Sequence, residues 1–491
     1  MKSPVMRNLA LQFLLCWSLW IVGATSTTAA DPAPEATKKT RPNVLFIAVD
    51  DLNDWVGAFG GNPQTRTPNI DALAARGVAF QKAYCAAPAC NPSRASLMTG
   101  VRPSTSGVYH NNQPWKGPLK GAVTLTQQFM ANGYIVEGGG KIFHGAYEDP
   151  SSWQNYFHPI AANRKMTLAP GATRTSAGGI VWGALAADDA QMPDTKTVDW
   201  AADFLQARAK EKDGKPFFLA VGLHKPHMPW QVPQKYYDLF PLEKIVLPEV
   251  KDDDLADVPK AGVKIAKPSG DHETMLESGD WTRAVQGYLA SIAYTDGQIG
   301  RLIDALDKSG LKDDTIIVFW GDHGWHLGEK RHWRKFALWE EATRAPLIVV
   351  APGVTPAGRN CQRTVDFMSL YPTICDLCGL PTPETSEGVS LRPLLADPTA
   401  AWDRPAITTH GRNNHAVRNE RFRYIRYADG SEELYDHEAD PYEWTNLASD
   451  EKYAAEKAKL AESLPKTNAE DAPAKKGAGG AEADPKAADA D

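Results

Sequence analysis

Beyond residue 30 no apolar run approaches the ~18 residues that a membrane-spanning helix needs, so nothing after that point predicts a bilayer span. Basic charge is not in excess: 53 Lys and Arg against 60 Asp and Glu leave a net charge of −7. That balance excludes a general nucleic-acid or anionic-membrane binder, while leaving room for a local basic pocket. Cysteine is scarce, six in 491 residues, which rules out a small disulfide-stapled scaffold. No internal repeat is visible, and the C-x-x-C at Cys375 and Cys378 has no second copy to complete a zinc site. A hydrophobic share of 43% with 23% charged residues excludes a wholly disordered chain or a collagen-like fibre. The length fits two to four domains, or one large α/β domain with a small one. Tryptophan is abundant, 15 in all, and is divided between core packing and ligand clefts.

The first thirty residues read as a secretory signal. Lys2 and Arg7 precede the apolar run Leu9–Val22, and Thr28, Ala29 and Ala30 supply small residues for cleavage. An uncleaved N-terminal anchor is the alternative. Cys16 follows Leu15, where a lipoprotein signal would place a small residue. The expectation is an exported protein, secreted or periplasmic, with no stable membrane anchor. Cys85, Cys90, Cys361, Cys375 and Cys378 then remain. An odd count in an exported chain suggests that one cysteine has a separate chemical fate. Met368–Cys378 reads as a helix closed by Gly379, so Cys375 and Cys378 fit a core position, or a disulfide with Cys361, better than a redox or metal site.

Pro42–Asp51 is a continuous apolar run ending in two acids, the pattern of a strand buried on both faces. Phe217–Leu223, Thr315–Trp320 and Leu347–Ala351 share it. Helical periodicity spans Asn69–Arg76, Leu125–Asn132, Thr197–Arg208 and Tyr288–Ser309. Strands alternating with helices predict a doubly wound α/β domain over residues 31–398, whose ligands bind beyond the carboxyl ends of the strands. Residues 251–280, polar and rich in Asp, Lys and Pro, read as an excursion loop at the site mouth or a surface insertion. Short antiparallel strands at Pro405–His410, Phe422–Tyr427 and Glu433–Asp436 predict a C-terminal subdomain over 399–463. Residues 464–491 carry Ala, Lys, Glu, Asp and Gly without apolar periodicity and read as a disordered tail.

Cys90–Gly100 is the most specific segment: a Pro-rich turn leading into a helix N-terminus, where backbone N–H groups favour negative charge on a thiol. Asp50 and Asp51 end the first apolar strand, and Asp322 follows another. Three such carboxylates can converge on one hard cation; without it they would repel one another and raise each other's pKa. Cationic and proton-transferring candidates follow the strand ends: Lys141, His144, His227 and Lys335, with Arg94 one helical turn from Cys90.

The string C-x-P-S-R-x-x-x-x-T-G at Cys90–Gly100 resembles the sulfatase family signature. G-K-I-F-H at 140–144, V-G-L-H-K-P-H-M-P at 221–229, Y-T-D-G-Q-I-G-R-L at 294–302 and G-D-H-G-W-H-L-G-E at 321–329 are similar to the iduronate-2-sulfatase branch. The match covers residues 41–395. The resemblance implies an alkaline-phosphatase-like fold, a large mixed and mostly parallel sheet between helices, plus a small C-terminal antiparallel α+β subdomain. It implies that a maturation enzyme oxidises Cys90 to formylglycine, whose hydrate attacks sulfur. Ca²⁺, or Mg²⁺, would be held by Asp50, Asp51, Asp322, His323 and the residue derived from Cys90. Arg94 and Lys141 would steady the diol and sulfate, His144 would take a proton from the diol, and His227, helped by Lys335, would protonate the leaving oxygen. Trp325, Arg331, His332 and Arg334 would read a uronate carboxylate on a sulfated carbohydrate, giving a 2-O-sulfatase. The branch has an aromatic hydroxyl where this chain has Phe336, which weakens the uronate assignment. The competing enzyme class is a phosphate or phosphonate ester hydrolase on the same scaffold. A carbohydrate-binding pseudoenzyme is disfavoured because Asp50, Asp51, Cys90, His227 and Asp322 are all present.

Overall fold

The structure, a computed structural model, describes residues 41–159, 166–172 and 175–475. The signal-peptide reading of residues 1–30 therefore lies outside the described residues. The described helices include none long and apolar enough to cross a membrane.

The core is one eight-stranded sheet. Its strands are β1 (Asn43–Val49), β2 (Val78–Tyr84), β3 (Ile135–Gly140), β4 (Asn155–Phe157), β5 (Phe217–Leu223), β6 (Thr315–Gly321), β7 (Leu347–Val350) and β8 (Arg359–Asp366). Their spatial order is β8-β2-β7-β6-β1-β5-β3-β4. β1 pairs in parallel with β5 and β6, β3 with β4 and β5, and β8 with β2. Only β7 runs against its neighbours β6 and β2, so its apolar character reflects burial rather than parallel pairing. The period of two along β1 shows why both faces are covered. Leu45, Ile47 and Val49 enter one core with the helices α4 (Pro193–Arg208) and α5 (Trp281–Ser309). Val44, Phe46 and Ala48 enter the other, with α2 (Cys90–Thr99), α3 (Leu125–Ala131) and α6 (Leu370–Leu377). α1 (Pro68–Ala74) packs beside α5. This is the mixed, mostly parallel α/β architecture expected.

A separate four-stranded antiparallel sheet follows: β9 (Ala406–Thr409), β10 (His415–Arg418), β11 (Phe422–Arg426) and β12 (Glu432–Asp436), paired in chain order. A buried ion network joins it to the segment after Lys335. The wholly buried Arg423 reaches Glu443 Oε1 at 2.5 Å, the Leu338 carbonyl at 3.0 Å and, closely, Glu340. His437 Nε2 lies 3.0 Å from Glu443 Oε1. Arg423→Ala leaves two carboxylates without their shared cation and is expected to lower stability by about 3–5 kcal/mol. Urea unfolding measures this; a loss within 1 kcal/mol would contradict the network's role.

Four expectations are corrected. The five cysteines in the described residues are buried free thiols, so Cys361 forms no disulfide with Cys375 or Cys378; burial in the core is their environment. Residues 251–280 are not a plain loop: helices at Lys260–Ala266 and Asp271–Ser278 pack them onto the hairpin 326–334, through Asp254 to Lys330 at 2.8 Å and Asp271 to Arg334 at 2.6 Å. Residues 464–475 of the predicted tail are not free of the body. Ala469, Ala472 and Lys475 donate their amides to the carbonyls of Ser104, Gly107 and Asn112, each at 2.8 Å, because repeated backbone pairing does not require apolar side chains. The fourth correction is β10, a strand in a sheet for which the sequence pattern gave only three.

Candidate active site

The ends of β1, β3, β5 and β6 are in register: Val49 pairs with Leu223 and with Gly321, and Gly140 with Gly222. The residues just beyond them therefore share one rim. Two glycines make the approach possible. A Cβ on Gly140 (φ 77°) would meet the Gly222 carbonyl at 1.9 Å, and one on Gly222 would meet the Lys141 backbone at 2.3 Å. Lys141 N donates to the Gly222 carbonyl at 3.1 Å.

Around Cys90 Sγ stand Lys335 Nζ at 3.2 Å, His323 Nε2 at 3.4 Å, Lys141 Nζ at 3.8 Å and Asp51 Oδ1 at 3.9 Å. Cys90, Asp50, Asp51, Asp322, His323, Arg94 and Lys335 are fully buried. Lys335 donates to Asp51 Oδ1 at 2.8 Å, and Lys141 closely to Asp50 Oδ2. Arg94 donates from Nε to Asp322 Oδ2 at 2.8 Å, from one terminal nitrogen to Asp50 Oδ1 at 3.2 Å, and from the other to the Ile142 carbonyl at 3.1 Å. Its fork is thus spent on the acids and the backbone, so it braces the carboxylates. Asp51 holds a left-handed φ of 57°, and its amide donates to Asp322 Oδ1 at 3.0 Å. Tyr288 OH donates to the Asp51 carbonyl at 2.8 Å and fixes this turn from below.

Three acids face three permanent cations. Burial alone would raise the Asp50 carboxyl, but Lys141, His227 and Arg94 hold it well below the ordinary carboxylate range. Burial likewise opposes ionisation of the Cys90 thiol, as does Asp50, yet Lys141 and Lys335 bring it below the ordinary thiol value. Lys141 is pushed up to about 12: burial pulls it down, and the charges of Asp50 and Cys90 outweigh that. Burial and then Lys141 push His144 down to about 3, so it is a neutral base at ordinary pH. Its Nδ1 is buried and makes no hydrogen bond.

Asp50, Asp51, Cys90 and His227, and likewise Asp50, Cys90, Asp322 and His323, each bring one ligand atom within 4.8 Å of the others. Three buried carboxylates, oxygen donors at two adjoining strand ends, suit a hard divalent cation. The donor set therefore fits Ca²⁺ or Mg²⁺.

The expected catalytic and metal residues other than His144 make contacts within this cluster, and His144 lies three residues beyond Lys141. His227 Nε2 lies 3.9 Å from both Asp50 Oδ2 and Asp51 Oδ2. The expected substrate readers separate. Trp325 is fully buried, its ring 5.4 Å from Lys335 Nζ; it supports the lysine and has no surface to offer a sugar. His332 is buried, with both ring nitrogens facing carbonyl oxygens, Ala266 at 2.9 Å and Lys335 at 2.6 Å. Its part is to hold the backbone of Lys335. Arg334 is committed to Asp271 at 2.6 Å and the Gly178 carbonyl at 2.7 Å, and Arg331 lies 3.8 Å from Glu273. Sequence reasoning missed Asp194 and Lys225, which hold the His227 turn, and the exposed His224, whose ring lies 5.0 Å from that of His227. The H-K-P-H spelling was the available signal for two of them.

Buried acids and cations around one thiol, at the carboxyl ends of a mixed sheet, form a site that suits an anionic ester. Residues 42–380 match the family described as Sulfatase, and residues 321–470 the family described as N-sulphoglucosamine sulphohydrolase, C-terminal. The chain belongs to the sulfatase family. A sulfatase of Formosa agariphila is 41% identical over 449 residues, 87% of each chain. Iduronate 2-sulfatase of Homo sapiens is 34% identical over 385 residues, 70% of each. Among solved structures, the phosphonate monoester hydrolase of Silicibacter pomeroyi superposes with a TM-score of 0.72 at 24% identity, covering 86% of this chain and 94% of its own.

Proposed function

We propose that this sulfatase removes 2-O-sulfate from a uronate-containing carbohydrate, using formylglycine made from Cys90 by a maturation enzyme. The observation that carries the mechanism is the convergence of Asp50, Asp51, Asp322, Lys141 and Lys335 on residue 90. The uronate preference rests on the similarity to iduronate 2-sulfatases; Arg331 and Arg334 are the basic candidates for the carboxylate, Arg334 being held by Asp271 and the Gly178 carbonyl.

Hydration of the aldehyde gives a geminal diol. One hydroxyl gives its proton to Asp51, whose Oδ1 lies 3.9 Å from Sγ, and attacks sulfur; the bond between sulfur and the sugar oxygen breaks, and that oxygen takes a proton from His227. His227 Nδ1 lies 2.6 Å from the Met228 carbonyl, an acceptor only, so Nδ1 carries one proton, and the proton given to the sugar oxygen is a second one on Nε2, which faces Asp50 and Asp51 at 3.9 Å and acts as part of an imidazolium. The neutral His144 then takes the proton of the second hydroxyl, sulfate departs and the aldehyde returns. Lys141 and Lys335 hold positive charge where the sulfate oxygens lie. Asp50, Asp51, Asp322 and His323 would hold Ca²⁺ or Mg²⁺, which when bound supplies further neutralisation of sulfate charge. The three acids are already balanced by Arg94, Lys141 and Lys335, so with a divalent cation bound the site would be net positive, which favours an anionic ester.

His227→Ala is expected to lower kcat on a 2-O-sulfated uronate disaccharide by ~10²–10⁴-fold while sparing 4-nitrophenyl sulfate, whose leaving group needs no proton. Sulfate release from both esters measures this, with 4-nitrophenyl phosphate as the test of the competing phosphatase activity. Equal losses on the two sulfates would remove His227 as the acid. Release from neutral sulfated sugars but not from the uronate would overturn the substrate assignment.

A further inference from the structure

We infer that Asp194 and Lys225 are positioning residues that set the orientation of His227. The inference rests on the reading of His227 as the acid. After β5 ends at Leu223 the chain must turn across the site for His227 to reach Asp50 and Asp51. Nothing in that turn is regular secondary structure, yet its polar backbone is tied at both ends.

At the entry, Asp194 sits in the first turn of α4 and is 4% exposed. Its two carboxylate oxygens accept the consecutive amides of His224 at 2.9 Å and Lys225 at 2.8 Å. At the exit, the Lys225 side chain folds back under the turn. Its ammonium, 7% exposed, donates to the carbonyls of His227 at 3.0 Å and Pro229 at 2.6 Å. Between the two ends, His227 N donates to the His224 carbonyl at 2.9 Å. A buried ammonium needs both acceptors and a counter-charge; the carbonyls supply the first and the Asp194 carboxylate the second. The turn is thus a ring closed by two side chains, with the His227 ring as its one catalytic projection. Their hydrogen bonds all go to the turn that carries His227, while Lys225 also lies close enough to Asp50 and Asp51 to feel their charge. Misplacing a reacting group by about 1 Å costs on the order of 10²-fold in rate.

The test compares kcat and KM of the full-length enzyme on a 2-O-sulfated uronate disaccharide and on 4-nitrophenyl sulfate. Lys225→Met keeps the side-chain length and removes both donors. It is expected to lower kcat on the sugar ester by ~10–100-fold with KM held, and to change the aryl ester by less than about 3-fold. In the His227→Ala background Lys225→Met is expected to add nothing on the sugar ester, because both act through one group. Asp194→Asn, which keeps one of the two acceptors, carries the same signature if the lysine variant does not fold. Equal losses on both esters, or losses that multiply in the double variant, would overturn the inference while leaving the acid assignment standing. If His227→Ala itself does not discriminate between the esters, the acid assignment fails and the inference falls with it.

Discussion

Cys90→Ala is expected to abolish turnover, by on the order of 10⁴-fold or more, since it removes the nucleophile on which every other group converges. The fold should survive. Sγ is buried among Lys335, His323, Lys141 and Asp51, and the helix it opens is held by its own backbone and by Asn91. Melting temperature and activity therefore separate cleanly. In the active wild type, mass spectrometry of the peptide containing residue 90 should show a loss of ~18 Da, the replacement of CH₂–SH by an aldehyde. A thiol cannot form a geminal diol, so an intact Cys90 in fully active enzyme would sink the mechanism. The same spectrum taken on inactive preparations tells unmodified protein from misfolded protein.

Chelation is expected to lower activity by on the order of 10³-fold, restored by Ca²⁺ and in part by Mg²⁺; a bound metal is worth several kcal/mol of charge stabilisation, and each 1.36 kcal/mol is tenfold in rate. Asp322→Ala should show a comparable loss that added metal does not restore. Asp322 also accepts from Arg94 and from the amide of Asp51. Its removal therefore leaves Arg94 short of one partner and loosens the left-handed turn at Asp51. Asp322→Asn preserves the shape and separates the two effects: metal affinity falls while the turn stays. Full activity of metal-free protein, confirmed by elemental analysis, would refute the assignment.

The strands carrying Asp50 and Asp322 were legible because both faces of β1 and β6 are buried, which writes an unbroken apolar run into the chain. The strands β2, β3 and β8 were not. β3 ends in three glycines, which weaken any strand signal but are required where Lys141 crosses Gly222. β8 starts exposed and becomes buried only over its second half. Cys90, the acids, Lys141, His227 and Lys335 were picked out together by their joint resemblance to the sulfatase motifs, since a single Lys or His after a strand is as easily surface or core. The misreadings fell on Trp325 and His332. A tryptophan and a histidine in a basic stretch look the same in sequence whether they meet a sugar or shore up a lysine; only the distances to Lys335 separate the two. Asp194 was invisible for the opposite reason, since a lone acid at a helix start has an ordinary local role.

The residues at 469–475 bear on how the protein is made. They brace the 104–112 loops through three backbone bonds, and Gln113 donates to the Ala472 carbonyl at 2.9 Å. Asn91, next to Cys90, is in turn gripped by that region: its amide reaches Asn111 Oδ1 at 2.9 Å and its side chain the Gln113 carbonyl at 2.7 Å. A ribosome releases the nucleophile turn long before it releases this brace, after the whole central sheet. Until that release the contacts to the 104–112 loops cannot form, whereas in the finished protein the thiol has no exposed surface. Translation order thus places Cys90 outside the ribosome well before the contacts of residues 469–475 can form.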